Sequence, residues 1–250
     1  MIIGLYNYPY DNIPLFEYKH VESLDISNID KLLVYWNKNV EGEKSSFAQL
    51  AIINLCLKKN IPIIIIDLNK EMTYDEALTC IKSNIKLFEP YMITRDLFNY
   101  LPEPASLDYP PLENIDNRVI NVCYHTTLGL KFPSIDVKII DGIFTDSKIY
   151  LNCDNSDYRK YGRISSETFE AASAGCMPLI PIEHRLMHGL VSSVGKAISV
   201  EDIQYYVNRS SAIAYGYCYN FIENIRNIYP EFGYEYFKEV ILNANSGPQI

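Results

Sequence analysis

The sequence predicts an α/β protein of two domains, each built on a parallel β-sheet, with the sheets facing one another across a cleft. Three observations lead to this prediction. Residues 61–66 (IPIIII) form an aliphatic run that is typical of a strand buried on both faces of a parallel sheet. Strand-like segments alternate with helical ones, as in βαβ units. A proline-rich segment at residues 100–117 interrupts this alternation, and a second α/β series follows it.

The first half of the chain predicts a strand–helix–strand series. Ser45 and Ser46 can provide the N-cap of the first helix. The predicted strands are residues 1–8, 31–36, 61–66 and 85–93. The predicted helices are residues 45–59 and 73–83.

The second half repeats the pattern. The predicted strands are residues 119–124, 148–153 and 177–180, and residues 135–140 suit a helix or a strand. The predicted helices are residues 165–174, 199–211, 215–229 and 234–243. We therefore expect a first domain at residues 1–105, a second at 118–232, and a C-terminal helical segment at 233–250 that packs back on the first.

Charge and cysteine usage narrow the class of protein. The formal net charge is −9 at pH 7, whereas proteins that bind nucleic acid through its phosphates usually carry a basic excess. The six cysteines form no C-x-x-C pair, which is typical of free thiols in a reducing compartment. No signal-like N-terminus or membrane-length apolar run is present, so we expect a cytoplasmic protein, in the host cytoplasm if the source is a virus.

The segment SSETFEAASAGCMPLIP at residues 165–181 carries the most chemical information. Serines precede a short helix that has acidic residues in its first turns and small residues after them. The free N–H groups at such a helix start suit a phosphate. Glu170 in the second turn can accept hydrogen bonds from two ribose hydroxyls. The alternative is an ordinary capped helix whose acids complement the helix dipole.

This segment resembles the E-A-x-A-x-G signature of GT-B glycosyltransferases, which have two Rossmann-like domains. Glu170 and Gly175 match the glutamate and glycine of that signature. Three stretches are similar to the phage DNA β-glucosyltransferases, and together they cover about half of the chain: NIDKLLVYWN with NIPIIIIDLN, IYLNCDNSDYRKYGRISSETFEAASAGCMPLI, and SVGKAISVEDIQYYV. The resemblance implies transfer of a sugar from a UDP-glucose-like donor to an acceptor hydroxyl, with the hydroxymethylated bases of phage DNA as the acceptor that it suggests. It implies no tightly bound cofactor and leaves open a divalent metal ion beside the donor.

The resemblance also suggests which residues hold the donor. Ser166 at the start of the matching helix and Thr126 in the matching loop are donor-binding candidates, and Lys131 and His125 are the basic candidates for the diphosphate. The family's arginine before the ribose glutamate is absent here. Arg163 can supply that charge instead, and Arg159 and Lys160 compete for the role.

Asp67 is the predicted catalytic base. It follows the buried strand at residues 61–66, and transfer to a hydroxyl requires a base within hydrogen-bonding reach. The alternative is a structural aspartate that caps the next loop or helix. Asp11 and Tyr8, in the loop after the first strand, are predicted to lie on the acceptor side, and Asp11 is the next candidate for the base. Inversion by single displacement is expected, because the second glutamate of retaining enzymes is absent.

Other classes of function have little support. The chain has neither a G-x-G-x-x-G nor a P-loop motif, and the histidines at 184 and 188 suit a solvated segment better than a metal site.

Two alternatives to a DNA-modifying enzyme stay open. One is a transferase that acts on a glycan, lipid or protein, which the acidic charge favours. The other is an inactive protein of the same fold that binds a nucleotide or sugar without turnover.

Overall fold

The computed structural model describes residues 1–9, 16–22, 24–38, 46–111, 118–124, 137–139, 144–151, 160–180, 195–196, 200–208 and 211–244. The chain divides into two compact units. Unit 1 comprises Met1–Pro102 together with Glu235–Ile250, and unit 2 comprises Glu103–Tyr234. The sequence predicted a first domain that ends at residue 105 and a second domain from residue 118 to residue 232.

Unit 1 is built on a parallel sheet. Its described strands are β1 (Ile3–Tyr6), β2 (Tyr18–His20), β3 (Lys31–Tyr35), β4 (Ile63–Ile66), β5 (Lys86–Glu89) and β6 (Asn99–Tyr100). Their spatial order is β2-β1-β3-β4-β5-β6, and every pair is parallel. β2 lies on one side of β1, and β3 to β6 follow on the other side. The direction in which successive strands are added to the sheet therefore reverses at β1.

The core of unit 1 explains why these segments are strands. All four isoleucines of β4 are buried, as expected for a central strand of a parallel sheet. Apolar side chains of β3 and β4 pack with those of α1 (Ser46–Lys58) and α2 (Tyr74–Lys82) on one face. A capping box between Thr73 and Glu76 fixes the start of α2.

The C-terminal helix α6 (Tyr234–Asn243) is tied to the sheet of unit 1 by Lys31. The Lys31 ammonium donates to the carbonyl oxygens of Ile241 at 2.7 Å, Leu242 at 2.9 Å and Ala244 at 3.0 Å. These carbonyls lie at the end of the helix, where they lack intrahelical partners and where the dipole favours a cation. A buried lysine of β3 therefore caps α6.

Unit 2 contains a second parallel sheet. Its described strands are β7 (Ile120–Tyr124), β8 (Val137–Ile139), β9 (Ser147–Leu151), β10 (Met177–Ile180) and β11 (Gly195–Lys196). Their order is β11-β10-β9-β7-β8, with all pairs parallel. The two sheets confirm the predicted α/β class.

Three described helices belong to unit 2: α3 (Ser166–Ser173), α4 (Val200–Val207) and α5 (Ser211–Ile228). Phe169 of α3 stacks on Phe221 of α5 and contacts Phe232, so α3 and α5 share an aromatic core. None of the helices in the described ranges is long and apolar enough to cross a membrane.

The differences from the sequence prediction concern short elements. β2 and β6 have three and two residues, and β6 ends at Tyr100, the first residue of the segment expected to be a linker. Such strands are too short for a periodic pattern to show in the sequence. The ambiguous segment at residues 135–140 contains a strand, β8.

Candidate functional site

The predicted donor site centres on α3. This helix connects the parallel strands β9 and β10, so its N-terminus lies at the carboxyl edge of the sheet in unit 2. Ligands of open parallel sheets bind at this edge. The helix thus brings Arg163, Ser166 and Glu170 to the side of the sheet where a ligand is expected.

Glu170 is half-buried and lies among other acids. Burial raises the pKa of its carboxyl group, the neighbouring carboxylate of Glu167 raises it further, and Glu103 adds to the effect. A hydrogen bond from Ser166 acts in the opposite direction. A carboxylate in these surroundings gains from hydroxyl donors and repels phosphate. Glu170 is therefore suited to the hydroxyls of a ribose.

The start of α3 already holds an anion from the chain itself. The Glu103 carboxylate accepts a hydrogen bond from the Ser166 backbone N–H at 3.3 Å and one from Arg163 Nε at 2.5 Å. A second guanidinium nitrogen of Arg163 also pairs with Glu103. Both side chains are buried, with 6% of their surface exposed. In this arrangement, a phosphate at the helix start has to compete with Glu103 for both Arg163 and the helix N–H group.

The two serines before α3 differ in their roles. Ser165 occupies the N-cap position with extended backbone, but its side chain makes no capping hydrogen bond, unlike the serine of an ordinary capped helix. Its buried hydroxyl has no hydrogen-bond partner among the described residues. Ser166 is buried too and interacts with Glu170, as described above.

Gly175 has a structural reason to be glycine. It follows the last turn of α3 with a φ of +76°, a left-handed conformation that side chains disfavour. A Cβ atom there would lie 2.9 Å from Arg118 Nη2. That nitrogen donates to the carbonyl oxygen of Ala174 at 2.5 Å and so helps to end the helix. A role of Gly175 in donor binding stays a prediction.

Asp67 lies at the carboxyl end of β4, as expected, but it has no exposed surface. Its carboxylate accepts hydrogen bonds from the backbone N–H groups of Glu71 at 3.0 Å and Met72 at 2.8 Å. It also pairs with Arg95 Nη2 at 2.6 Å. These contacts close the loop after β4, which is the structural role that the sequence left as the alternative to catalysis.

Arg95 joins Asp67 to a second buried carboxylate. Its Nε donates to Glu89 at 2.8 Å, and its Nη1 donates to the carbonyl oxygen of Met72 at 2.8 Å. Desolvation lowers the pKa of Arg95, but the hydrogen bonds to Asp67 and Glu89 outweigh it and raise the pKa above its ordinary value. Asp67 is therefore held as part of a network at the ends of β4 and β5. Its role as a base stays a prediction.

Tyr8 lines a cavity of about 340 Å³ in unit 1. The cavity lies at the carboxyl ends of β1, β2 and β3, and its polar lining includes Asn7, His20, Glu22 and Asn37. The other predicted site residues, Asp11, His125, Thr126 and Lys131, lie outside the described residues.

Three sets of contacts at the candidate sites were not predicted from the sequence: those of Glu103, Arg95 and Arg118. Glu103 stands between two prolines in the segment expected to be a linker, and it meets α3 some 60 residues later. Arg95 and Arg118 bind carbonyl oxygens and carboxylates of distant segments. Buried charged residues are nearly always paired, but the sequence does not show which charged residues are buried. These pairs therefore could not be predicted from it.

No protein-family model matches the chain, and none of the curated proteins matches it. Among solved structures, the calicheamicin glycosyltransferase CalG4 is similar, with 10% identity over 89% of this chain and 75% of that chain. The TM-score is 0.38, which is too low to assign a fold, so the fold is taken from the strands and helices of this chain.

Proposed function

We propose that this chain is a glycosyltransferase whose unit 2 binds a nucleotide-sugar around α3. The observation that carries the proposal is the placement of Glu170. It is a half-buried carboxylate with a raised pKa, in the second turn of a helix at the carboxyl edge of a parallel sheet, within the segment that resembles the GT-B signature. Two ribose hydroxyls can donate to such a carboxylate.

The chemistry around Glu170 limits how the donor is held. The carboxylates of Glu167 and Glu103 act on Glu170, and the guanidinium of Arg163 pairs with Glu103. Tyr150 donates to Glu167 at 2.9 Å and adds no positive charge. The ribose therefore suits this end of the site, whereas the diphosphate needs positive charge from elsewhere. The resemblance offers Lys131 and His125 for that part.

The finer parts of the proposal concern donor, acceptor and stereochemistry. A UDP-glucose-like donor and inversion by single displacement follow from the resemblance. The acceptor is a hydroxyl on a glycan, lipid or protein, which the net charge of −9 favours over the hydroxymethylated bases of phage DNA. Both kinds of acceptor enter the test below.

A second candidate is a binding protein of the same fold that does not turn the donor over. The contacts of Asp67 favour this candidate. A base must reach the acceptor hydroxyl, and the Asp67 carboxylate is fully buried and holds two backbone N–H groups and Arg95.

A nucleotide-sugar panel, beginning with UDP-glucose, tests the donor proposal by thermal shift and calorimetry. A ligand at 100 times its dissociation constant should stabilise the protein by about 2.7 kcal/mol. The Glu170→Gln variant should bind the same ligand more weakly by about 1.5–3 kcal/mol, or roughly 10- to 150-fold. The matched control is Glu239→Gln, an exposed glutamate of α6, which should bind like the parent. Equal affinity in the Glu170→Gln variant and the parent would contradict the ribose role.

Single-turnover transfer to glycans and to hydroxymethylated DNA then separates the two candidates. Product formed from a bound donor supports the transferase, and donor binding without product or hydrolysis supports the inactive protein. In an active enzyme, loss of about 10²–10⁴ in rate in the Asp67→Asn variant, with donor affinity and the free energy of unfolding both kept, identifies Asp67 as the base. A parental rate would leave Asp67 a structural residue.

A further inference from the structure

The cavity in unit 1 lies at the point where a parallel sheet is expected to hold a ligand. β2 and β3 pair with opposite edges of β1, so the segments that leave β1 and β3 diverge. Such a topological switch point opens a crevice at the carboxyl ends of the strands. The cavity has Asn7, Tyr8 and Pro9 after β1, Glu22 after β2 and Asn37 after β3 in its lining. Its volume of about 340 Å³ is within the range of small-molecule sites.

The charge of the lining excludes some ligand classes. None of the nine described residues that line the cavity is lysine or arginine. The neighbouring ammonium of Lys19 pairs with Asp25 at 2.8 Å. The lining carries the carboxylate of Glu22, the imidazole of His20 and two amides. A phosphate or carboxylate ligand would meet a negative charge there, with no fixed cation among these residues to hold it.

Buried polar groups next to the cavity have hydrogen-bonding capacity to spare. Gln49 has no exposed surface, and its Oε1 accepts from Asn7 Nδ2 at 3.2 Å and from the Asn37 N–H at 3.3 Å. It thus ties the two loops of the switch point together. Within the described part of the chain, Gln49 Nε2 and the hydroxyl of Tyr6 have no hydrogen-bond partner. Buried polar atoms are normally paired, so these two are candidates for a ligand or ordered water.

We propose that this cavity binds a neutral, polyhydroxylated ligand of the carbohydrate class. A hydroxyl group both donates and accepts, so one molecule with several hydroxyls can pair with the carboxylate of Glu22 and with the amide groups of Asn7 and Asn37. Tyr6 and Tyr8 add apolar ring surface. If the chain is a glycosyltransferase as proposed above, this ligand is the acceptor. The acceptor role rests on the proposed function, whereas the binding of the ligand to the cavity does not.

Trp36 provides the measurement, because it is the one tryptophan of the 250-residue sequence and it precedes Asn37. Its indole is buried at the end of β3. Titration of the full chain with neutral mono- and disaccharides, without any nucleotide-sugar, should change its fluorescence saturably for at least one sugar. The same sugar should bind at least tenfold more weakly to Asn37→Ala and to Glu22→Gln. Glu22 is exposed, so its variant keeps the fold even if Asn37→Ala does not.

The matched controls are Asn220→Ala and Glu239→Gln, which change exposed residues of α5 and α6 and should titrate like the parent. Sugar phosphates should bind more weakly than the corresponding neutral sugars. A flat titration with every neutral sugar, tighter binding of the phosphates, or equal losses in the control variants would overturn the proposal. Because no donor is present, a failure here is distinct from failure of the donor site at Glu170.

Discussion

Glu170, the residue proposed to hold the ribose, stands in conflict with the stability of its own fold. Its carboxylate loses solvation in unit 2 and faces Glu167 and Glu103. Both effects disfavour the charged form, and a donor of hydrogen bonds would relieve them. Residues poised in this way are typical of functional sites, where stability and function compete.

This conflict predicts a pH dependence. The folded-state pKa of Glu170 is raised, so its contribution to stability is present at low pH and is lost as the pH rises through the folded-state pKa. At pH 7, without ligand, Glu170→Gln should therefore have a higher urea midpoint than the parent. The gain should shrink as the pH falls towards the ordinary range of a glutamate. A midpoint at or below that of the parent at pH 7 would show that Glu170 is not destabilising.

Asp67 shows what can and cannot be predicted at the level of one residue. Its position at the end of a buried strand follows from the aliphatic run at residues 61–66 and is correct. Its partners, however, include Arg95, 28 residues later in the chain. An asparagine at this position places an NH₂ group among N–H donors, so a folding defect is expected in Asp67→Asn, contrary to what near-identical size suggests. Stability must be measured beside its transfer rate.

At the scale of elements, regular helices and buried strands were predictable and their ends were less so. The helix predicted at residues 165–174 corresponds to α3, because the pattern of small and apolar residues is local. The anion at its start was expected to be a ligand phosphate, and the structure places Glu103 there. Contacts of this kind depend on tertiary proximity, which no local pattern encodes.

Lys31 and α6 give the prediction at this scale. Replacement of Lys31 by methionine removes the donor to three carbonyl oxygens at the end of α6, and should lower the free energy of unfolding by about 1–3 kcal/mol. Burial desolvates the ammonium of Lys31 and lowers its pKa. This cost makes the net loss of stability in the variant smaller than the three hydrogen bonds alone would give. Urea unfolding checks the result. Lys238→Met, at a partly exposed lysine of the same helix, should change stability by less than about 0.5 kcal/mol, and equal effects of the two would contradict the capping role.

At the scale of the whole molecule, the alternation of strands and helices was sufficient to predict two parallel sheets. The short strands β2, β6 and β11 complete those sheets at their edges, and edge strands of two or three residues carry little signal of their own. The pairing of β2 with β1 nonetheless creates the switch point where the cavity lies.

The net charge of the molecule gives the last prediction. Nucleic acid is held chiefly by cationic groups that replace counterions along the phosphates, and this chain carries 31 acidic against 22 basic residues. Fluorescence anisotropy with hydroxymethylated and unmodified duplexes, at 50 and 200 mM salt, should therefore show no saturable binding at micromolar protein. Nonspecific binders typically have dissociation constants of about 10⁻⁴–10⁻⁶ M at physiological salt. We expect this chain to bind DNA no more tightly than the weak end of that range. Submicromolar binding that weakens by roughly 10³-fold or more between the two salt concentrations would reveal a cationic surface of six or more phosphate contacts, and would restore DNA as the acceptor.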